Sequence, residues 1–292
     1  MPERIFALFA HRDDQRELVQ RTFLDAGMVD LLLEPPPAGL SKIQLPDEES
    51  AQRLRVAAVV NGLDAPDIQR DLRPTARELA AAALLCVSAG GTGSLRGHPR
   101  AGTSYDDANA CPECGAGLRQ TSPLQVRRTE LPKSALAAAA ADELLLHESI
   151  AAVVEAADLP GVAFREVQGP DGTSLPWRQL VVEHTLPPML ASSRGLIRGR
   201  SGAERPCTRC ARDGWFDTPS DPYIPAYEKK VLDTMPAAAW AHEMMGTGAW
   251  RTPVHGKRWI ARRRLIVRPS LYTLLKQSKV RGLRWTPVRV EE

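Results

Sequence analysis

Aromatic residues are scarce in this sequence of 292 residues, at 5% of the chain. Proteins that stack the bases of single-stranded nucleic acid rely on aromatic side chains, so this scarcity argues against that class of function. Long hydrophobic runs are also missing, since none approaches the roughly 18 residues that cross a bilayer. The first ten residues lack the pattern of a secretory signal peptide. We therefore expect a soluble cytoplasmic protein with no membrane contact.

Catalytic motifs are missing as well. The sequence contains no P-loop, no Gly-x-Gly-x-x-Gly after a strand, no His-Glu-x-x-His and no Gly-x-Ser-x-Gly. The pair His242-Glu243 has no second histidine four residues later, so we interpret it as part of a solvated helix. Acidic residues near Tyr223 and Tyr227 could line a cleft, but no spacing among them selects a reaction. The sequence favours a binding protein, and an enzyme remains the minority hypothesis.

The composition that is present, 43% hydrophobic and 25% charged, is typical of a globular chain with a sizeable core. Mixed strand and helix patterns predict an α/β (α+β) fold. Residues 1–100 are predicted to be a separate α/β segment of unknown role, with a strand at 5–10, a helix capped by Asp13 or Asp14, and helices at 48–61 and at 75–86. Residues 101–292 are predicted to form the second domain.

An internal repeat is the clearest organisational signal. A shift of 121 residues aligns 144–167 with 265–288 without a gap, including Gly161 on Gly282 and Phe164 on Trp285. Each copy has the pattern of a strand, a helix, a glycine turn and a second strand. We predict N-caps at Ser149 and Ser270, and burial of Phe164 and Trp285 at equivalent positions. We interpret the two copies as duplicated units.

Four of the five cysteines form two Cys-x-x-Cys pairs, Cys111 with Cys114 and Cys207 with Cys210. Two thiolates three residues apart can bind one tetrahedral ion when the backbone turns sharply, and Gly115 permits such a turn after the first pair. Ala211 stands at that place after the second pair. The four sulfurs predict one structural Zn²⁺ per chain in a closed site. The 92 residues at 115–206 separate the pairs, so the fold must bring them together.

Other interpretations of the cysteines stay open. Each pair could be a redox dithiol, the four could hold an iron–sulfur cluster, or they could be idle. Cys86 is predicted to be a core residue on an alanine-rich helix. The run at 135–141 is nearly all alanine, and its composition fits either a helix or a short buried strand.

The cysteine motifs and the chain that follows them resemble the double-CXXCG-motif proteins of myxobacteria. The resemblance rests on Cys111-Pro-Glu-Cys114-Gly, on Cys207-Thr-Arg-Cys210 with the Arg-Asp-Gly-Trp-Phe stretch that follows, and on the terminal strand–helix–strand segment. It covers about two thirds of the chain, from Tyr105 onwards. The family includes immunity proteins that protect cells from toxins exchanged between siblings. The resemblance implies a non-enzymatic, zinc-binding protein that neutralises a cognate toxin by direct binding.

The C-terminal part of the chain suggests a second hypothesis, a zinc-ribbon-like protein that binds nucleic acid or has a regulatory role. Residues 251–289 hold twelve Lys or Arg and no Asp or Glu. Such a basic segment could contact phosphates. Alternatively, this charge is matched within the protein, because copy 144–167 has a net charge of −3 (one Arg, four acids) and copy 265–288 has +5 (five cations).

Overall fold

The computed structural model describes residues 3–11, 13–28, 39–89, 94–95, 102–112, 116–139, 143–198, 207, 209–210, 212, 215–217, 222–245, 253–254, 257–258 and 262–292. Contacts divide the chain into two compact units. The first comprises Met1–Thr75 with Thr218–Pro222, and the second comprises Ala76–Asp217 with Tyr223–Glu292. None of the helices among the described residues has the length and apolar character needed to cross a bilayer.

The first unit is a three-stranded antiparallel sheet with two helices. Along the chain it runs β1 (Glu3–His11), α1 (Arg16–Asp25), β2 (Gly39–Leu45), α2 (Glu48–Val60) and β3 (Asp67–Leu72), and the strand order is β2-β1-β3. Helix α2 begins after Asp47, whose carboxylate accepts the Ser50 N–H at 2.7 Å. Val19, Phe23, Leu54 and Ile68 form the centre of the core. A strand-like run predicted by the sequence after Met28 lies outside the described residues.

The second unit holds the remaining elements. Its helices are α3 (Ala76–Ala81), α4 (Glu148–Ala156), α5 (Val231–Thr234) and α6 (Pro269–Gln277). Its strands are β4 (Leu85–Ala89), β5 (Ser94–Leu95), β6 (Tyr105–Asp106), β7 (Arg119–Gln120), β8 (Leu124–Gln125), β9 (Leu136–Ala139), β10 (Leu144–His147), β11 (Ala163–Gln168), β12 (Ser174–Val181), β13 (Leu196–Arg198), β14 (Trp215–Asp217), β15 (Ala226–Glu228), β16 (Ala238–Met245), β17 (Pro253–Val254), β18 (Lys257–Arg258), β19 (Arg262–Val267), β20 (Leu283–Pro287) and β21 (Arg289–Glu291).

Two six-stranded sheets organise this unit. The first has the order β5-β9-β10-β12-β11-β8 and the second has the order β13-β14-β16-β19-β4-β20. In the first sheet β12 pairs antiparallel with both β10 and β11, and in the second β4 pairs antiparallel with both β19 and β20. The fold is therefore mixed α+β, in agreement with the predicted class.

Both segments of the predicted repeat fold as strand, helix and strand. The first is β10–α4–β11 and the second is β19–α6–β20. In each, the two strands are parallel and flank one antiparallel strand, which is β12 in the first segment and β4 in the second. Gly161 and Gly282, which the 121-residue shift aligns, have φ of 75° and 90°. The two segments thus share a local topology but obtain their middle strands from different parts of the chain.

The helices of the two segments pack in one common core. Ala151 and Val154 of α4 and Leu271 and Leu275 of α6 are buried in it, together with residues of both large sheets. Phe164 and Trp285 pack against the same core but are only partly buried. The prediction that these two rings are buried is therefore wrong. Trp285 meets the Tyr272 ring edge-on, with centroids 4.9 Å apart.

Two local predictions, the helix at 75–86 and the place of Cys86 on it, are wrong. Cys86 is buried as predicted, but it lies on strand β4, because the helix expected at 75–86 ends at Ala81. The run from Leu84 to Val87 is buried on both faces, and hydrogen bonding to β19 and β20 on either side stabilises it as a central strand. The predicted domain division at residue 100 falls instead inside the second unit, to which β4 belongs.

The N-caps of both helices lie two positions before the predicted serines. Helix α4 is capped by His147, whose ring nitrogen accepts the Ser149 N–H at 3.4 Å, and α6 is preceded by Arg268 with Pro269 in its first turn. Neither serine is therefore the N-cap. The alanine run left open by composition is a strand in its described part, since β9 pairs with β10.

Candidate metal centre

Cys111 lies at the tip of a short β-hairpin. Strands β6 and β7 pair antiparallel, Tyr105 with Gln120 and Asp106 with Arg119, and Cys111 lies in the loop between them. The Cys111 N–H donates to the Ala116 carbonyl at 2.8 Å, which closes the turn. Gly117 follows with φ of 97°, and a Cβ there would lie 2.9 Å from the Asn109 carbonyl oxygen. The hairpin tip therefore requires glycine at this position.

The second cysteine pair also lies between two paired strands. Strands β13 and β14 are antiparallel, Leu196 opposite Asp217 and Arg198 opposite Trp215, and Cys207 and Cys210 lie in the connection between them. Strand β14 then pairs with β16 of the second sheet. Cys111, Cys207 and Cys210 thus all lie in connections between paired antiparallel strands.

The two hairpins bring three cysteine sulfurs together. The Sγ atoms of Cys111, Cys207 and Cys210 all lie within 4.8 Å of one another. The Sγ atoms of Cys111 and Cys207 are 3.6 Å apart, too far for a disulfide at about 2.05 Å. Two thiolates bound at about 2.3 Å to one tetrahedral ion would be about 3.8 Å apart. The three cysteines could therefore hold a metal ion. Cys114, the fourth predicted ligand, lies outside the described residues.

Apolar residues enclose the sulfurs on one side. Ala116 and Met244 are buried against Cys207, which is itself 5% exposed. The Met244 N–H donates to the Arg212 carbonyl at 2.7 Å, and Arg212 Nε donates to the His242 carbonyl at 3.2 Å. These bonds fix the chain just after Cys210 to strand β16. Arg209 and Arg212 also bring positive charge close to the sulfurs in sequence, which favours thiolates.

Strand β16 carries a buried acid that was not predicted from the sequence. His242 and Glu243 lie on a strand, so their assignment to a solvated helix is wrong. Glu243 is 4% exposed, and its Oε1 accepts the Met189 N–H at 2.9 Å. Burial raises the pKa of Glu243, and this hydrogen bond and the Arg212 charge only partly oppose the effect. The acidic residue beside Tyr223 and Tyr227 is thus Glu243, whose charge adds to burial in raising the pKa of both phenols.

Comparison with known proteins gives no assignment. No protein-family model matches the chain, and no curated protein or solved structure shows significant similarity to it. The case for function therefore rests on the residues themselves.

Proposed function

We propose that this chain is a non-enzymatic binding protein whose second unit is stabilised by one structural Zn²⁺ bound to Cys111, Cys114, Cys207 and Cys210. The observation that carries the proposal is the convergence of Cys111 and Cys207, 96 positions apart in the chain, at an Sγ–Sγ distance of 3.6 Å. Sulfur-only coordination suits zinc and leaves no open position for a substrate. Metal analysis and the cysteine variants described in the Discussion test this part.

The resemblance to the double-CXXCG family supports the second part of the proposal, which is that the partner is a cognate toxin neutralised by direct contact. The test uses the reading frame immediately upstream of the gene. Expression of that frame alone should stop growth, whereas co-expression with this chain should restore it, and the two proteins should co-purify. Either an upstream product without toxicity or rescue without a stable complex would contradict neutralisation by binding.

We also propose that the two strand–helix–strand segments arose by duplication. The ungapped 121-residue alignment, the same strand–helix–strand order and the positive φ of Gly161 and Gly282 all support this origin. The different source of the middle strand, β12 in one segment and β4 in the other, means that only the aligned core would have been duplicated.

Nucleic-acid binding is the weaker alternative, because two C-terminal arginines already have contacts within the protein. The Arg264 guanidinium lies 5.9 Å from the Tyr223 ring centroid. Arg268 donates to the carbonyls of Met235 and Leu232. Such side chains are not available to phosphates without a loss of internal contacts.

A further inference from the structure

A cleft of about 480 Å³ lies beside the candidate metal centre, within the second unit. Both cysteine hairpins contribute to its wall, through Tyr105 and Arg119 of β6–β7 and through Arg212, two residues after Cys210. Strands β11, β12, β16 and β19 form most of the rest, together with Glu143 before β10 and the chain just after β12. The volume is in the range of small-molecule sites, about 300–1,000 Å³.

Positive charge dominates this cleft. Four arginines and two glutamates line it: Arg119, Arg165, Arg212, Arg263, Glu143 and Glu183. The lining therefore has an excess of two positive charges, which an anionic ligand would offset.

The Arg263 guanidinium packs against an aromatic ring. Its guanidinium lies over Trp240, whose own indole N–H donates to the Val182 carbonyl at 2.9 Å. Burial lowers the pKa of Arg263, the nearby Arg212 charge lowers it further, and Glu143 opposes both. Two cations are thus close together in a partly buried cleft, an arrangement that a bound anion would stabilise.

Apolar residues line the cleft beside these cations. They are Leu180, Val182, Trp240 and Met244, and each is at most 7% exposed. A ligand that satisfies both kinds of lining residue needs an anionic head and a hydrophobic body. A carboxylate matches the planar fork of a guanidinium through two parallel hydrogen bonds.

We propose that this cleft binds a small amphipathic carboxylate, with its carboxylate at Arg263 and Arg212 and its apolar body against Trp240 and Met244. The site is concave and small, unlike a protein-binding surface, which buries about 800 Å² on each partner. Both cysteine hairpins form part of the cleft wall, so binding of the ligand is coupled to binding of the proposed zinc ion. Removal of the metal therefore lowers the affinity for the ligand.

The test is calorimetric titration of the zinc-loaded full chain at low ionic strength with 3-phenylpropionate as the probe. We expect the acid to bind and the neutral analogue 3-phenylpropanamide to bind at least about tenfold more weakly. Arg263→Gln and Arg119→Gln, the second at an exposed position, should both lower the affinity for the acid. Arg284→Gln, an exposed control on β20 outside the cleft, should leave its affinity within about twofold. Chelation of the metal should also weaken it.

Equal affinity for acid and amide, or unchanged affinity in both cleft variants, would overturn the proposal. The Arg119 variant keeps the test decisive if Arg263→Gln fails to fold, since Arg119 is exposed. An acetylated and amidated Leu-Glu-Leu peptide provides the second arm. If this peptide displaces the probe at a lower concentration than the free acid does, the cleft binds a protein partner. That result would overturn the small-molecule assignment. Neither result depends on the toxin experiment.

Discussion

Asp158 and Lys279 occupy the same place in the two strand–helix–strand segments, and both have the left-handed backbone conformation, with φ of 46° and 56°. Among the described residues they are the two non-glycine positions with positive φ, and they lie 121 positions apart. Their N–H groups donate to corresponding carbonyls, Glu155 at 3.0 Å and Lys276 at 3.0 Å. The segments therefore share an unfavourable backbone detail as well as a topology, which similarity of sequence pattern alone would not require.

Relief of this backbone strain provides the first prediction. Asp158→Gly and Lys279→Gly should each stabilise the protein by about 0.5–1 kcal/mol, because glycine adopts positive φ without a Cβ clash. The measurement is the free energy of unfolding in urea. A matched control, Gly161→Ala, should destabilise it, since a Cβ there would lie 2.6 Å from Pro236 Cβ. Stabilisation at one site and destabilisation at the other would contradict the equivalence of the two turns.

Much of this architecture could be predicted from sequence, because the repeat and the cysteine spacing are local signals. The strand–helix–strand order follows from apolar periodicity around α4 and α6. The position of Cys86 could not be predicted, since an alanine-rich composition favours helix and only pairing with β19 and β20 makes 85–89 a strand. Glu243 and the Arg263 cleft were missed because burial of a charged side chain is decided by distant strands.

The buried Glu243 provides a pH prediction. Burial raises its pKa in the folded state above the ordinary value of 4.5, with Tyr223, Tyr227, Cys86 and Arg212 among the titratable or charged groups nearby. The folded protein therefore holds this proton more tightly than the unfolded chain. Its contribution to stability is complete below pH 4.5 and falls as the pH rises through the folded-state pKa.

Replacement of this carboxyl group by an amide removes the pH effect. Glu243→Gln keeps an oxygen that can accept the Met189 N–H, so it should stabilise the protein at pH 7 and flatten the fall in unfolding free energy above pH 4.5. Denaturant unfolding at several pH values measures both effects. An unchanged pH dependence would show that Glu243 is not the group responsible.

The internal contacts of two C-terminal arginines predict that the protein does not bind DNA. We expect no measurable binding of the full chain to random-sequence duplex DNA even at low salt, because Arg264 and Arg268 have partners within the protein. Fluorescence anisotropy over a range of salt concentrations is the appropriate measurement. Tight binding with a steep dependence on salt would favour the nucleic-acid hypothesis over the one proposed here.

Replacement of a zinc-binding cysteine is expected to lower the stability of the protein and not to abolish a reaction. Cys114→Ser and Cys210→Ser should both lower the melting temperature and to a similar degree, because the metal closes a long loop and restrains the unfolded chain. Partner binding should fall only in proportion to the unfolded fraction. A variant that keeps its melting temperature but loses a measurable activity would indicate a catalytic or redox site.

Cys86 is the matched control for these variants. Its side chain is buried in the core formed with Tyr227, Ile266 and Val288, away from the three clustered sulfurs. Cys86→Ala should therefore cost some stability through lost packing while leaving the metal content unchanged. Loss of metal in this variant would mean that the assigned ligand set is wrong.

The central claim is that four cysteine thiolates bind one zinc ion, and X-ray absorption spectroscopy on the purified full chain, with metal analysis of the same sample, tests it most directly. We expect one zinc per chain with four sulfur neighbours at about 2.3 Å. A chain purified under metal-replete, reducing conditions that contains no zinc would contradict the claim, as would a zinc shell containing oxygen or nitrogen ligands.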